Sequence, residues 1–166
     1  MSGYFECFQG LKQGCVASPV LFSLLINELA NEIIGKAKHS IPLGPTEIEL
    51  FILLFADDLT LLASTVIGRQ NQLNALSVAA KRLGLTVNLD IYISKVMVFR
   101  KGGYLAAKER WFCGDQKLEV VNTYKYLGLI FPTGQFYCSN GRHCNQSKKG
   151  TIEILRTLKR LVVTLL

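Results

Sequence analysis

The sequence predicts an α+β fold: a small antiparallel sheet backed by two helices, with a further helix at the C-terminal end. Two segments carry apolar residues at helical spacing, one apolar strand folds back on itself at a pair of adjacent aspartates, and several short apolar stretches bounded by turn signals follow. With 166 residues, 49% of them hydrophobic and 19% charged, the chain has the length of one domain and enough apolar side chains to bury a core. That excludes disorder as the main state.

The first helix opens at Ser18-Pro19, since serine is a good N-cap and proline is favoured at the first helical position. Phe22, Ile26, Leu29 and Ile33 follow at helical intervals, and Gly35 with Lys36 and Lys38 marks the end, so a helix is expected from Ser18 to Ile34. Pro42, Gly44 and Pro45 then break the chain. Glu47 to Phe55 reads as a buried strand and Leu59 to Ala63 as its return, with Asp57 and Asp58 at or beside the turn. A second helix near Gly68 to Leu83 sets Leu73, Leu76, Ala80 and Leu83 on one stripe and stops at Gly84. Short strands are expected at Leu85–Leu89, Val96–Phe99, Leu118–Val121 and Tyr126–Phe131. From Ser147 onward, Ile152, Leu155, Leu158 and Val162 recur at helical intervals up to Leu166 without a stop signal, the pattern of a helix that has been cut.

Net charge is +7 and unevenly spread: residues 1–80 hold four Lys/Arg against seven Asp/Glu, a balance of −3, whereas residues 81–166 hold fifteen against five, a balance of +10. The asymmetry fits a nucleic-acid face in the second half and a cation site in the first, or else an ordinary basic surface. The most apolar stretch, Ile48 to Ala63, carries Asp57 and Asp58 near its middle. A carboxylate at mid-bilayer costs about 2.5 to 3.5 kcal/mol on insertion, so no membrane span is expected. No basic region followed by an apolar one opens the chain, and an unsecreted protein, cytoplasmic or nuclear, is expected. Cys7, Cys15, Cys113, Cys138 and Cys144 are accordingly read as reduced thiols.

Adjacent carboxylates at the end of an apolar strand are the sharpest chemical feature. Partly buried side by side, they repel, and each takes up a proton unless a cation stands between them. Mg²⁺ prefers carboxylate oxygens and keeps several waters, so a turn projecting Asp57 and Asp58 suits a site whose coordination substrate phosphates complete. Two such ions about 3.5 to 4 Å apart activate a 3′-hydroxyl and stabilise a leaving pyrophosphate. The alternative is a solvent-exposed Asp-Asp turn with no ligand. Upstream, residues 10–22 read GLKQGCVASPVLF, a glycine-flanked loop feeding the first helix. Such a loop lets backbone approach a ligand, and Gln13 has the chemistry to bond a base or sugar. Equally, it is a helix entry with flexible glycines and nothing more.

Successive stretches, GLKQGCVASPVLFSLLINEL, LLFADDLTLLAS, GLTVNLD with SKVMVFRKGG, and YKYLGLIF, resemble in order and spacing the motifs of reverse transcriptases. The nearest likeness is to the enzymes of non-LTR (LINE-type) retrotransposons, and it covers Gly3 to Phe131. The resemblance implies a right-hand polymerase palm over residues 1–135, with residues 136–166 beginning the thumb or connection. RNA template, DNA primer and dNTP are the implied partners, and Mg²⁺ (or Mn²⁺) the implied cofactor. Asp57 matches the family's metal-binding aspartate and Asp58 its neighbour. Gln13, Gly14, Ser18 and Pro19 match the loop and helix start near the template strand and incoming nucleotide. Tyr126, Leu127 and Gly128 match the strand turn that grips the primer end.

The departures from the family pattern carry expectations of their own. Another essential aspartate of such palms lies on a strand upstream of the Gln-Gly loop; before Gly10 the acid present is Glu6, too close to the loop to serve. The fingers would also lie upstream. Where the family reads Asn-x-x-Lys-Thr/Ser-Lys, this chain reads NLDIYISK from Asn88 to Lys95, so Ile91-Tyr92-Ile93 stands in place of the first lysine. Lys95 is left as the group near the pyrophosphate. The isolated chain is therefore expected not to polymerise, and the metal is expected only with the missing aspartate.

Two other readings are a non-catalytic nucleic-acid-binding module that uses the basic half, and a decayed retrotransposon fragment whose sheet lacks a strand and exposes an apolar edge. Cys113, Cys138, His143 and Cys144 have zinc-ligand chemistry without zinc-site spacing. Lys148, Lys149, Arg156, Lys159 and Arg160 would line one side of the last helix. Trp111, Phe112, Tyr124 and Tyr126 read as core or sheet-edge aromatics rather than base-stacking platforms.

Overall fold

A computed structural model describes residues 10, 12, 14–36, 40–42, 49–100, 109–127, 129–133 and 160–165. In chain order the elements are α1 (Ser18–Lys36), β1 (Ile41–Pro42), β2 (Glu49–Leu50), β3 (Ile52–Phe55), β4 (Asp58–Ala63), α2 (Val66–Arg82), β5 (Lys95–Arg100), β6 (Trp111–Cys113), β7 (Gln116–Val121), β8 (Thr123–Tyr126), β9 (Leu129–Pro132) and β10 (Arg160–Leu165). The main sheet has the order β3-β4-β10-β5-β7-β6, with β1-β2 and β8-β9 as separate two-stranded pairs.

Side-chain alternation divides the sheet into two faces. Leu59 and Leu61 of β4 and Val96 and Val98 of β5 pack with Leu29 and Ile33 of α1, Leu73 and Leu76 of α2, and Trp111. Leu62, Met97 and Phe99 turn to the opposite face, where Ile41, Leu50, Tyr124 and Phe131 of the short hairpins cover them. The helices therefore back one side, as the sequence predicts, and the hairpins close the other.

α2 is fixed to β4 by polar contacts that periodicity cannot reveal. Thr65 caps its first turn, its hydroxyl accepting from the Gly68 amide at 3.0 Å. Arg69, fully buried, donates to the Leu61 carbonyl and, at 3.3 Å, to Gln72, which in turn donates to the Leu62 carbonyl at 2.7 Å. Burial holds the Arg69 guanidinium well below its usual range. The helix stops where Gly84 adopts φ +67° and the Leu85 amide reaches back to Ala80 at 2.9 Å, a Schellman closure. Arg82 at this end pairs with Glu28 and Glu32 of α1, and those carboxylates raise its pKa.

Several expectations are corrected. The sheet expected to be small and antiparallel has six strands and is mixed, because β5 runs parallel to β7. Leu85 to Leu89 forms no ladder; Leu85, Val87 and Leu89 pack against the core from irregular chain, so burial alone produced their alternation. Tyr126 to Phe131 is not one strand but the middle of the β8-β9 hairpin, because Leu127 takes φ +47° and reverses the chain. The expected C-terminal helix gives way, in its described part, to β10. Antiparallel pairing of β10 with both β4 and β5 explains this. The β4-α2-β5 crossover leaves a gap one strand wide between two parallel strands, and the β-branched run Val162-Val163-Thr164 satisfies both ladders at once. Residues 147–159, which carry most of the helical pattern, lie outside the described residues.

Candidate metal and nucleic-acid site

β3 and β4 pair antiparallel on either side of Ala56 and Asp57. Phe55 and Asp58 are paired across β3 and β4, leaving Ala56 and Asp57 as a two-residue turn. Ala56 has φ +52°, whereas Asp57 has no positive φ. A positive φ at a turn residue ordinarily takes glycine. Alanine in the left-handed region costs roughly 1 to 2 kcal/mol. Such strain in a tight turn is the kind that functional sites retain. The turn leaves Asp57 exposed and Asp58 half-buried.

Strand pleating puts Asp58 on the same face as Thr60 and Leu62, away from the helices, and Lys95 on that face with Met97. Leu165 of β10 is paired with Thr60 on one side and Lys95 on the other, so Thr60 and Lys95 stand level with one strand between them. Lys95 is not open: its ammonium pairs with Glu119 of β7. Tyr124 of β8 completes this end of the sheet, its phenol donating to the Ile93 carbonyl at 2.6 Å. Burial, then the charge of Asp58, then Tyr126 push the Tyr124 pKa up.

The glycine-flanked loop is built differently from its reading as a serine cap. Ser18 is the first residue of α1, but its hydroxyl donates back to the Lys12 carbonyl at 2.8 Å. Gly14 takes φ +79°, which favours glycine there. Cys15 is exposed, and the backbone at Ala17 and the Ser18 hydroxyl draw its thiol pKa down. Pro19 sits on the exposed first turn of α1, whose buried residues Leu29, Ala30 and Ile33 lie at the other end. Among the described residues no hydrogen bond or ion pair joins this turn to Asp57 or Asp58. Gln13 and Gly128 lie outside the described residues, while Tyr126 and Leu127 stand at the β8-β9 turn.

As a donor set, Asp57 and Asp58 fit a hard divalent ion in part. Both offer carboxylate oxygens at a turn, with Asp57 open to solvent, as a site shared with water and phosphate requires. No group of three or more His, Cys, Asp or Glu that would enclose a metal occurs among the described residues. Cys113 is buried, its thiol facing the Leu73 carbonyl, and the other zinc candidates lie outside the described residues. A concavity of about 290 Å³ lined by Lys36, Asn71, Asn74, Ala75 and Val78 lies beside the helices and has no part in the aspartate turn. No described helix is long and apolar enough to cross a membrane.

Comparison with known proteins gives two matches. Residues 2–131 match the family described as reverse transcriptase (RNA-dependent DNA polymerase). The chain is 31% identical over 126 residues to the retrovirus-related Pol polyprotein from type-1 retrotransposable element R2 of Popillia japonica, an alignment that spans 74% of this chain and 20% of that protein. The chain thus spans about a fifth of the relative's length. No solved structure matches.

Proposed function

The chain belongs to the reverse transcriptase (RNA-dependent DNA polymerase) family, of the non-LTR retrotransposon type, and we propose that it is the palm portion of an RNA-directed DNA polymerase, with Asp57 at the catalytic turn. The observation that carries this reading is the strained Ala56-Asp57 turn, which holds one carboxylate in solvent and its neighbour half-buried. Residues 1–135 form the palm part in this proposal, and residues 136–166 lead into the following unit.

Asp57 and Asp58 would hold Mg²⁺ or Mn²⁺, and the bound ions would supply the charge that activates a primer 3′-hydroxyl and stabilises the leaving pyrophosphate. Asp57 offers its oxygens to solvent and Asp58 anchors the start of β4. Tyr126 and Leu127, with Gly128, position the primer end at the β8-β9 turn. Gln13, Gly14, Ser18 and Pro19 contact the template strand and the incoming nucleotide. Lys95 reaches a phosphate only by leaving Glu119. RNA template, DNA primer and dNTP are the partners of the longer enzyme.

Residues 1–166 by themselves do not polymerise, because two carboxylates on one turn cannot enclose both ions. Primer extension on an RNA template with Mg²⁺ and dNTPs tests this. The chain alone yields no extension, and robust synthesis abolished by Asp57→Asn would overturn the claim of incompetence while upholding the site. Extension that survives Asp57→Asn would overturn the assignment of Asp57.

A further inference from the structure

The stretch that replaces the family's lysine is not a loose insertion. Asn88 accepts from the Asp90 amide at 3.1 Å, Asp90 accepts from the Tyr92 amide at 2.8 Å, and the Asp90 carbonyl takes the amides of Ile93 at 3.0 Å and Ser94 at 2.9 Å. Ser94 is buried and its hydroxyl donates to the Asn88 carbonyl, while Gln116 grips the Leu89 carbonyl at 2.6 Å and Tyr124 the Ile93 carbonyl at 2.6 Å. A turn pinned at this many points presents three consecutive apolar side chains to solvent: Ile91 at 55%, Tyr92 at 81% and Ile93 at 43% exposure. An exposed apolar run on a rigid support is a defect unless it meets something.

Position says what it meets. Thr60 and Lys95 are level across β10, and β4 and β5 run the same way, so the aspartate turn just before Thr60 and the Ile91–Ile93 turn just before Lys95 leave the sheet at the same end. Tyr124 bonds the Ile93 carbonyl and feels the Asp58 charge. The tip and the aspartate turn therefore share one end of the sheet. The half of the chain that carries the tip has a balance of +10, which complements a polyanion and not a basic protein.

We propose that the Ile91-Tyr92-Ile93 tip is a stacking contact for a base of the nucleic-acid strand seated at Asp57, with Tyr92 as the platform and the isoleucines packing on adjacent sugar. A rigid aromatic gives up little conformational freedom on binding and accepts any base, which suits a polymerase that must advance along sequence. The inference rests on the proposed function, since it needs a primer–template at the aspartate turn.

Fluorescence anisotropy of the whole chain with a fluorescein-labelled DNA primer annealed to an RNA template, in Mg²⁺, tests it. Tyr92→Ala weakens binding by about 5-fold or more, the range set by loss of one base stack. Tyr92→Phe and Tyr92→Trp bind as the parent does, and the dependence on salt is unchanged because no phosphate contact is lost. A 2-aminopurine placed at the primer end is quenched by the parent and not by Tyr92→Ala. Equal affinity of parent and Tyr92→Ala, with Asp57→Asn still abolishing the Mg²⁺ dependence, overturns the inference and leaves the function standing. Failure of the parent to bind the hybrid at low salt overturns both. A change in oligomeric state on Tyr92→Ala with unchanged affinity for the hybrid identifies the tip as a protein contact and overturns the inference.

Discussion

Phe55 and Asp58 face each other as the last paired residues of the β3-β4 hairpin, and the reversal between them is made by Ala56 at φ +52°. A side chain in the left-handed region at this point is an energetic cost that the fold carries in order to present Asp57. Replacing Ala56 with glycine relieves it. Ala56→Gly is expected to raise stability by up to about 1 kcal/mol, and Ala56→Val, β-branched, to lower it by more than that. Urea midpoints of the two variants check the order.

Thr60 lies two residues into β4 from Asp58, is 3% exposed, and among the described residues has a hydroxyl without a hydrogen-bond partner. An unpaired buried hydroxyl costs more than the bond it would make. Thr60→Val, equal in shape, is expected to stabilise by about 1 kcal/mol, and Thr60→Ser, which keeps the hydroxyl and loses a methyl, to give no gain. Thermal unfolding of both variants reads the difference.

Tyr124 gives a pH-dependent handle on the same end of the sheet. Burial and the charge of Asp58 raise its pKa above the usual tyrosine value of 10.0 in the folded chain. Between that value and the folded one, the native state binds the proton more tightly than the unfolded state does, so stability falls as pH rises through the window. At pH 8 the parent should exceed Tyr124→Phe by about 0.5 to 1.5 kcal/mol, the worth of the hydrogen bond to Ile93. Above pH 10 that advantage should shrink. Denaturation at a series of pH values from 8 to 11 follows it.

β10 makes a fourth case. It pairs through Val163 with Leu62 of β4 and Met97 of β5, so it is a central strand with both ladders engaged. A proline there removes a ladder bond, and Val163→Pro is expected to cost roughly 3 kcal/mol. A segment that was a solvated helix end or a free tail would tolerate the change, and urea denaturation distinguishes the two.

What was legible in the sequence follows from which signals are local. Both helices appear where apolar periodicity puts them, and α2 ends at the Gly84 stop, whereas α1 runs through Gly35 to Lys36. The break in the apolar run at Asp57 and Asp58 is local in the same way. The β8-β9 reversal was not, because Leu127 gives no glycine-like signal for its positive φ. Nor was β10, whose strand state depends on two partners far away in sequence while its own spacing matches a helix. In the candidate site, Asp57 and Asp58 were visible from their interruption of an apolar run. The pairing of Lys95 with Glu119 and the approach of Tyr124 to Ile93 and Asp58 depend on how β5, β7 and β8 come together, and no local pattern encodes that.

The proposed function stands on Asp57 holding a divalent ion beside nucleic acid. Paramagnetic broadening by Mn²⁺, followed on the backbone amides by NMR with primer–template and dNTP present, is the most direct measurement. The expected result is selective broadening centred on Ala56 to Leu59 that disappears in Asp57→Asn. Amides of the hairpin left sharp at Mn²⁺ concentrations that broaden other regions, or broadening that is unchanged in Asp57→Asn, would contradict it.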